Sequence, residues 1–217
     1  MELMIALSGQ AGEANLRGRV RGALARPASL RLEGLAPFGA PRFILVAHPD
    51  AAVLVLPRAR RVVSEASAAE LLDALAGVAL GPADFGAVLT GCLMPDPQPH
   101  AARTYGSGWI GVDLDGGATL YLRTINGAPV IAAGTRDGLV VEYLDHARGL
   151  PRRVRLQSSD ADHTNTDLTA ILSQVNINTE LHAEAFVAHV REDYVPMTLD
   201  ELRGTTGPLE ESPQPDP

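Results

Sequence analysis

Chemistry in this chain would have to come from a handful of polar groupings. The stretch GSGWIG, residues 106–111, has the glycine density of a phosphate-holding loop. Such a loop needs a helix N-terminus behind it and a lysine to reach the phosphate, and neither follows, so hairpin or bulge glycines are the better reading. DADH, Asp160 to His163, carries metal-type side chains, yet it falls between two expected strands without a second cluster at usable spacing and reads as a solvated turn. His182 and His189 have no matching Asp or Cys partner. Cys92 follows a helix stop with no His partner in sequence and reads as a passive, half-buried thiol. Asp113 and Asp115 flank Leu114 at a strand end, where turn chemistry accounts for them. No grouping makes a catalytic constellation, and no metal or cofactor is expected.

Composition narrows the classes further. The 217 residues are 46% hydrophobic and 20% charged, which is globular, and long enough to bury a core. Aromatics make up 4%, so the interior is built from Leu, Val, Ile and Ala. A formal net charge of −8 argues against nucleic acid, whose phosphates call for clustered Lys and Arg in excess. Cys92 is the only cysteine, which excludes an internal disulfide. No apolar run reaches the ~18 residues that span a bilayer. The opening MELMIALSGQ lacks a basic segment ahead of its short apolar run and does not read as an intact secretory signal.

The elements that would position any site follow from hydrophobic period. Leu3, Met4 and Leu7 suggest a short helix over residues 2–12. LRGRVRGAL and SLRLEGL then alternate with period two, and RFILVAH, AAVLVLP and RRVVSE continue as strands. The period changes at SEASAAELLDALAG, where Ser67 and Glu70 have capping-box spacing, Leu71, Leu72 and Leu75 form a stripe, and Gly77 is the stop. A second helix starts near Pro82, carries Phe85, Val88 and Leu89, and stops at Gly91. MPDPQPHAA is a connector that can be neither helix nor central strand. SGWIGVDL, TLYLRTI, APVIAAGT and LVVEYLDH follow, joined by DGG, NG and RDG turns, the strongest hairpin signals available. RRVRLQSS and TDLTAILSQVNINTEL add two strands, and TLDELRG a terminal helix capped by Thr198. The expected fold is mainly β: about eleven antiparallel strands with helices over one face, one domain spanning residues 1–207, and a disordered tail over 208–217.

LAPFGAPRF, residues 35–43, sets Phe38 between Pro37 and Gly39 in a turn between two apolar runs. Turns lie at the surface, and leaving a Phe exposed forgoes roughly 1.5–3 kcal/mol. The ring either folds back over the sheet edge or stands out in water for a purpose.

Residues 28–94 resemble the outer-membrane lipoprotein receptor family LolB, in the order of their pieces. A strand enters a PFG hairpin where the family has PLG or PFG. Two strands and a short third lead into a leucine helix, and a second helix opening at Pro82 ends near Gly91 and Pro95. The likeness covers most of residues 1–160. AFVAHVREDYVPMTLDELRG is more like the longer LolB-related proteins and the periplasmic carrier family LolA.

The resemblance implies an incomplete, strongly curved antiparallel barrel with a helical lid over its concave face, holding acyl chains of lipoproteins or lipids. Each methylene moved out of water is worth about 0.8 kcal/mol, so a ~16-carbon chain offers up to ~12 kcal/mol before costs. Leu30, Leu32, Phe43, Leu45, Leu54, Leu56, Ile110, Val112, Leu120 and Leu122 are the candidate walls, with strand phase deciding which face inward; Leu71, Leu75, Phe85 and Leu89 are the candidate lid contacts. Phe38 takes the position of the family's apolar hairpin tip, which is implicated in taking cargo and inserting it into the membrane. The implied partners are acyl chains, a membrane surface and a periplasmic carrier protein. The implied location is the periplasm, outer-membrane-anchored in a form carrying a lipidated Cys ahead of Met1, though a soluble carrier would lack that tether. Without a cavity, the same scaffold is a structural or interaction module with a filled interior; an enzyme is the third reading.

Overall fold

The computed structural model describes residues 1–125, 127–158, 165–205 and 207–210. Its strands are β1 (Glu2–Ala11), β2 (Ala14–Ala25), β3 (Ser29–Leu35), β4 (Phe43–Ala47), β5 (Ala52–Leu56), β6 (Arg61–Val63), β7 (Pro99–Thr104), β8 (Trp109–Leu114), β9 (Thr119–Ile125), β10 (Ala128–Arg136), β11 (Leu139–Leu144), β12 (Arg153–Ser158), β13 (Thr166–Asn176) and β14 (Val195–Pro196). The helices are α1 (Ala68–Ala76), α2 (Pro82–Thr90) and α3 (Leu199–Arg203). All the strands join one sheet in the order β14-β6-β5-β4-β3-β2-β1-β13-β12-β11-β10-β9-β8-β7. Its pairings are antiparallel except β14 on β6. The sheet is curved but open: β14 and β7 end it without meeting, so the expected incomplete barrel is corrected to an open sheet, and about eleven strands to 14.

Each added strand has a physical reason. Residues 2–11 are β1, not a helix: Leu3 and Ile5 are buried at alternate positions, and the main chain is satisfied on both sides by β2 and β13. A partner more than 150 residues away overrides a weak local helix pattern. The proline-rich connector ends in β7, an edge strand whose six residues are all exposed, the kind of place where a strand tolerates Pro99. The two residues of β14 are held beside β6 by Val195 N–H on Arg60 C=O and Met197 N–H on Val62 C=O.

The helices form as their signals dictate. Ser67 accepts from the Glu70 N–H while the Glu70 carboxylate accepts from the Ser67 N–H, and Gly77 ends α1 in the left-handed region. Proline opens α2 and Gly91 closes it the same way. Both lie on the sheet face that carries Leu30, Leu32, Phe43, Leu45, Leu54 and Val63, in one contiguous core. The opposite face of β4–β6 buries Val46, Val55 and Val62. There a short turn at Ala183–Phe186 lies over β3 and β4. Arg31 donates to the carbonyls of Ala185 and Val187, and His48 bonds the Phe186 carbonyl at 3.0 Å. Behind α1 sits α3, with Leu202 buried and Arg203 paired to Asp73 at 2.9 Å.

The expected tail from 208 is corrected at its start. Leu209 is 4% exposed, its carbonyl accepts from the Arg17 N–H at 2.8 Å, and Glu210 bridges Leu16. Residues 211–217, like Asp160 to His163, lie outside the described residues.

Candidate functional site

A cavity of ≈ 80 Å³ lies between the sheet and the two helices, and every described residue around it is apolar. Its floor is Ile5 and Leu7 of β1, Val20 of β2, Leu32 of β3, Phe43 of β4, Leu156 of β12, and Leu168 and Ala170 of β13. Its roof is Leu72, Leu75 and Ala76 of α1, the linker residues Val78 and Leu80, and Phe85, Val88 and Leu89 of α2. Leu209 enters from the C-terminal segment and closes one side. Among the described residues no titratable group reaches the space, so they offer neither a proton nor a metal ligand there, only dispersion contacts and freedom from water.

The roof is held unevenly. On α1's far side, α3 makes the ion pair to Asp73, and the Thr166 hydroxyl donates to the Gly77 carbonyl that ends the helix. By contrast, α2 has solvent behind it. Its other face, Pro82, Ala83, Gly86, Ala87 and Thr90, borders an open groove of ≈ 1020 Å³ shared with Ala25 to Ser29, Cys92, Met94 to Pro97, Ile177 to Thr179 and Leu181. A side-chain latch ties α2 to the sheet, Asp84 to Arg136 of β10 at 2.5 Å. Among the helices, α2 is therefore the one with room to move outward.

Five of the expected residues meet at the cavity: Leu32, Phe43, Leu75, Phe85 and Leu89. Others are corrected. Leu30, Leu45, Leu54 and Leu71 are fully buried and Leu56 nearly so, in solid core away from the space. Leu120 is buried and Ile110, Val112 and Leu122 are half-buried on β8 and β9; none of the four lines the cavity, because these strands lie at the sheet's far wing. The floor strands β1, β12 and β13 were missed, since β1 read as a helix and its place between β2 and β13 is what makes them adjacent. The Leu3, Ile5, Leu7 alternation was the available signal.

Phe38 stands at the tip of the β3–β4 turn with 87% of its surface exposed, which excludes the folded-back reading. Gly39 beside it takes φ +78°, a conformation side chains resist. The Phe38 carbonyl accepts from the Arg58 guanidinium at 2.8 Å, so the β5–β6 turn braces the tip from the adjacent hairpin. At the hairpin's base, the Phe43 ring lies directly against Gly34.

The polar groupings have structural roles or none. Asp113 binds Arg103 and accepts from the Thr119 hydroxyl, while Asp115 lies 3.4 Å from His100. Gly106 to Gly108 make the turn into β8. Cys92 is exposed rather than half-buried. His182 and His189 are exposed, and no metal-holding cluster occurs among the described residues. Burial pushes the Tyr143 hydroxyl up from its usual range, while that oxygen accepts from the Leu93 N–H at 3.2 Å, which is structural work. Among the described residues no helix is long and apolar enough to cross a membrane.

No protein-family model matches the sequence, and no curated protein matches it.

Proposed function

We propose that the chain is a non-enzymatic acyl-chain-binding protein of the LolB-like kind, receiving a lipoprotein's or lipid's hydrocarbon between the sheet and α2 in the bacterial envelope. The observation that carries this reading is the wholly apolar cavity whose roof helix α2 has an open groove at its back. At ≈ 80 Å³ the cavity is smaller than the ~150 Å³ that accommodates benzene in an engineered core, so an acyl chain enters only as α2 moves out. The exposed Phe38 supplies the apolar finger that the resemblance in residues 28–94 implies. A tether ahead of Met1 and a periplasmic carrier belong to the same proposal.

The test is binding of a fluorescent fatty acid, with mass spectrometry of organic extracts for co-purified lipid. Val88, 1% exposed, faces the cavity from α2. Val88→Phe fills the space, at a packing cost of ~1–3 kcal/mol. It is expected to lower probe affinity at least tenfold in protein that still melts cooperatively. Phe38→Glu is expected to abolish lipid transfer to vesicles while melting temperature and probe affinity stay unchanged. Absence of probe binding by the unmodified chain would overturn the reading.

The small cavity favours the second reading, a scaffold with a filled interior that binds other proteins. The exposed edge strand β7 is where such a partner would add a strand.

A further inference from the structure

The hairpin tip has a second chemical feature. The chain's 18 basic side chains are all arginine, against 26 acidic residues. Most arginines lie within reach of a carboxylate, as Arg31 does with Glu33, Arg136 with Asp84 and Arg155 with Asp167. Three arginines lie in the two turns at the Phe38 tip: Arg42, Arg58 and Arg60. Arg58 bonds the Phe38 carbonyl and Arg42 bonds the Pro208 carbonyl at 3.2 Å. Among the described residues neither has a carboxylate at ion-pair distance. Arg60, in the same turn as Arg58, is 72% exposed and only 4.0 Å from Asp193 at its nearest, where Arg191 already engages that carboxylate at 3.0 Å. The β3–β4 and β5–β6 turns project from the same end of the sheet, since both connect strands running down from and back to the 47–52 turn. Glu13 in the β1–β2 turn, Asp115 in the β8–β9 turn and Asp137 in the β10–β11 turn also lie at that end; Asp115 is 3.4 Å from His100 and Asp137 is paired with Arg136. An exposed ring on an acidic protein thus has three arginines in the two turns at its tip, two of them without a carboxylate at ion-pair distance among the described residues.

From this we infer that the Phe38 edge docks on a membrane surface containing anionic phospholipid, with Arg42, Arg58 and Arg60 binding headgroup phosphates as the ring enters the acyl boundary. The inference rests on the lipid-handling reading and names the surface it acts at. The planar guanidinium matches phosphate oxygens in bidentate fashion. One apolar insertion alone gives marginal, reversible membrane binding, and a basic patch supplies the second attraction that makes it stable. Each basic residue near an anionic leaflet is worth roughly a fivefold gain in affinity, so three give on the order of a hundredfold. A net acidic body is repelled by the same leaflet, which orients the molecule with its arginine-bearing tip inward.

The experiment is co-sedimentation of the full chain with vesicles of phosphatidylcholine alone or of phosphatidylcholine and phosphatidylglycerol in equal parts. The mixed vesicles are expected to bind at least tenfold more tightly, with the preference fading as salt is raised. The double substitution Arg58→Gln with Arg60→Gln is expected to remove most of that preference, weakening binding to the mixed vesicles far more than binding to pure phosphatidylcholine. Arg58→Lys should retain part of it, and Phe38→Ser should weaken binding to both. Arg42→Gln is measured separately, with its melting temperature, because Arg42 also holds the C-terminal segment. Equal binding to the two vesicles, or an intact preference in the double variant, overturns the proposal. Fatty-acid uptake without vesicles reads the cavity alone: loss of uptake with retained anionic preference breaks the cargo reading and spares the docking surface.

Discussion

The two wings of the sheet are built from similar strands and are treated differently by the rest of the chain. In β3–β6 one face is covered by the helices and the other carries the 183–187 turn, and Leu45 and Val46 are both buried though they point opposite ways. At the other wing β7 is bare, and Arg123 to Ile125 of β9 and Ala128 and Pro129 of β10 are exposed. Only the ends of that wing nearest the connector are covered, where Leu93 packs onto Gly134. Alternation alone makes a strand; what crosses its faces decides whether it carries stability. The covered wing anchors the fold, and the bare wing is the part free to change.

That contrast breaks most visibly with truncations in the two wings. Leu54→Ala, at a site with no exposed surface, is expected to cost about 2–5 kcal/mol, against less than ~1 kcal/mol for Leu122→Ala, both measured by urea unfolding. Equal losses would show that the far wing shares the core's cooperativity. A middle-sized effect sharpens it where the connector meets the sheet. Tyr143→Phe leaves the Leu93 N–H buried without its acceptor and should lose roughly 1–3 kcal/mol, with faster hydrogen exchange confined to residues near Leu93 and Gly134. The smallest effect comes from pH, on the strands between the wings. Arg155 holds the Asp167 carboxylate below its ordinary range through a hydrogen bond at 2.7 Å, with Gln157 adding another. A lowered carboxylate pKa contributes stability above the unfolded value, and that contribution is lost as pH falls through the folded one. Since the pair is largely solvated, Asp167→Asn is expected to flatten the acid limb of the unfolding curve only slightly.

Local patterns were readable wherever a strand or helix carried its own punctuation. Ser67, Glu70 and Gly77 bound α1, Pro82 and Gly91 bound α2, β2 and β3 declared themselves by alternation, and β4–β6 by short apolar runs. Phe38 was readable as a turn residue; that it points into water was one of two readings, and the Arg58 brace comes from a different hairpin. What stayed hidden depends on distant partners. The identity of β1 rests on β13, β14 rests on β6, and Leu209 reaches the cavity only because Leu16 and Arg17 hold its backbone. The cavity floor was misplaced onto β8 and β9 for the same reason: phase within a strand says which residues share a face, and sheet order says which strands lie under the helices.

The Phe43 ring pressed on Gly34 separates two jobs within one hairpin. Any β-carbon at position 34 would fall inside the space the ring fills, so the stem admits a single residue type there. A few residues on, the Phe38 side chain is 87% exposed and unconfined, while Gly39 beside it is held to glycine by its φ of +78° and not by crowding. The crown can therefore exchange the side chain at position 38, and with it its preferred surface, while the stem keeps the same angle to the body.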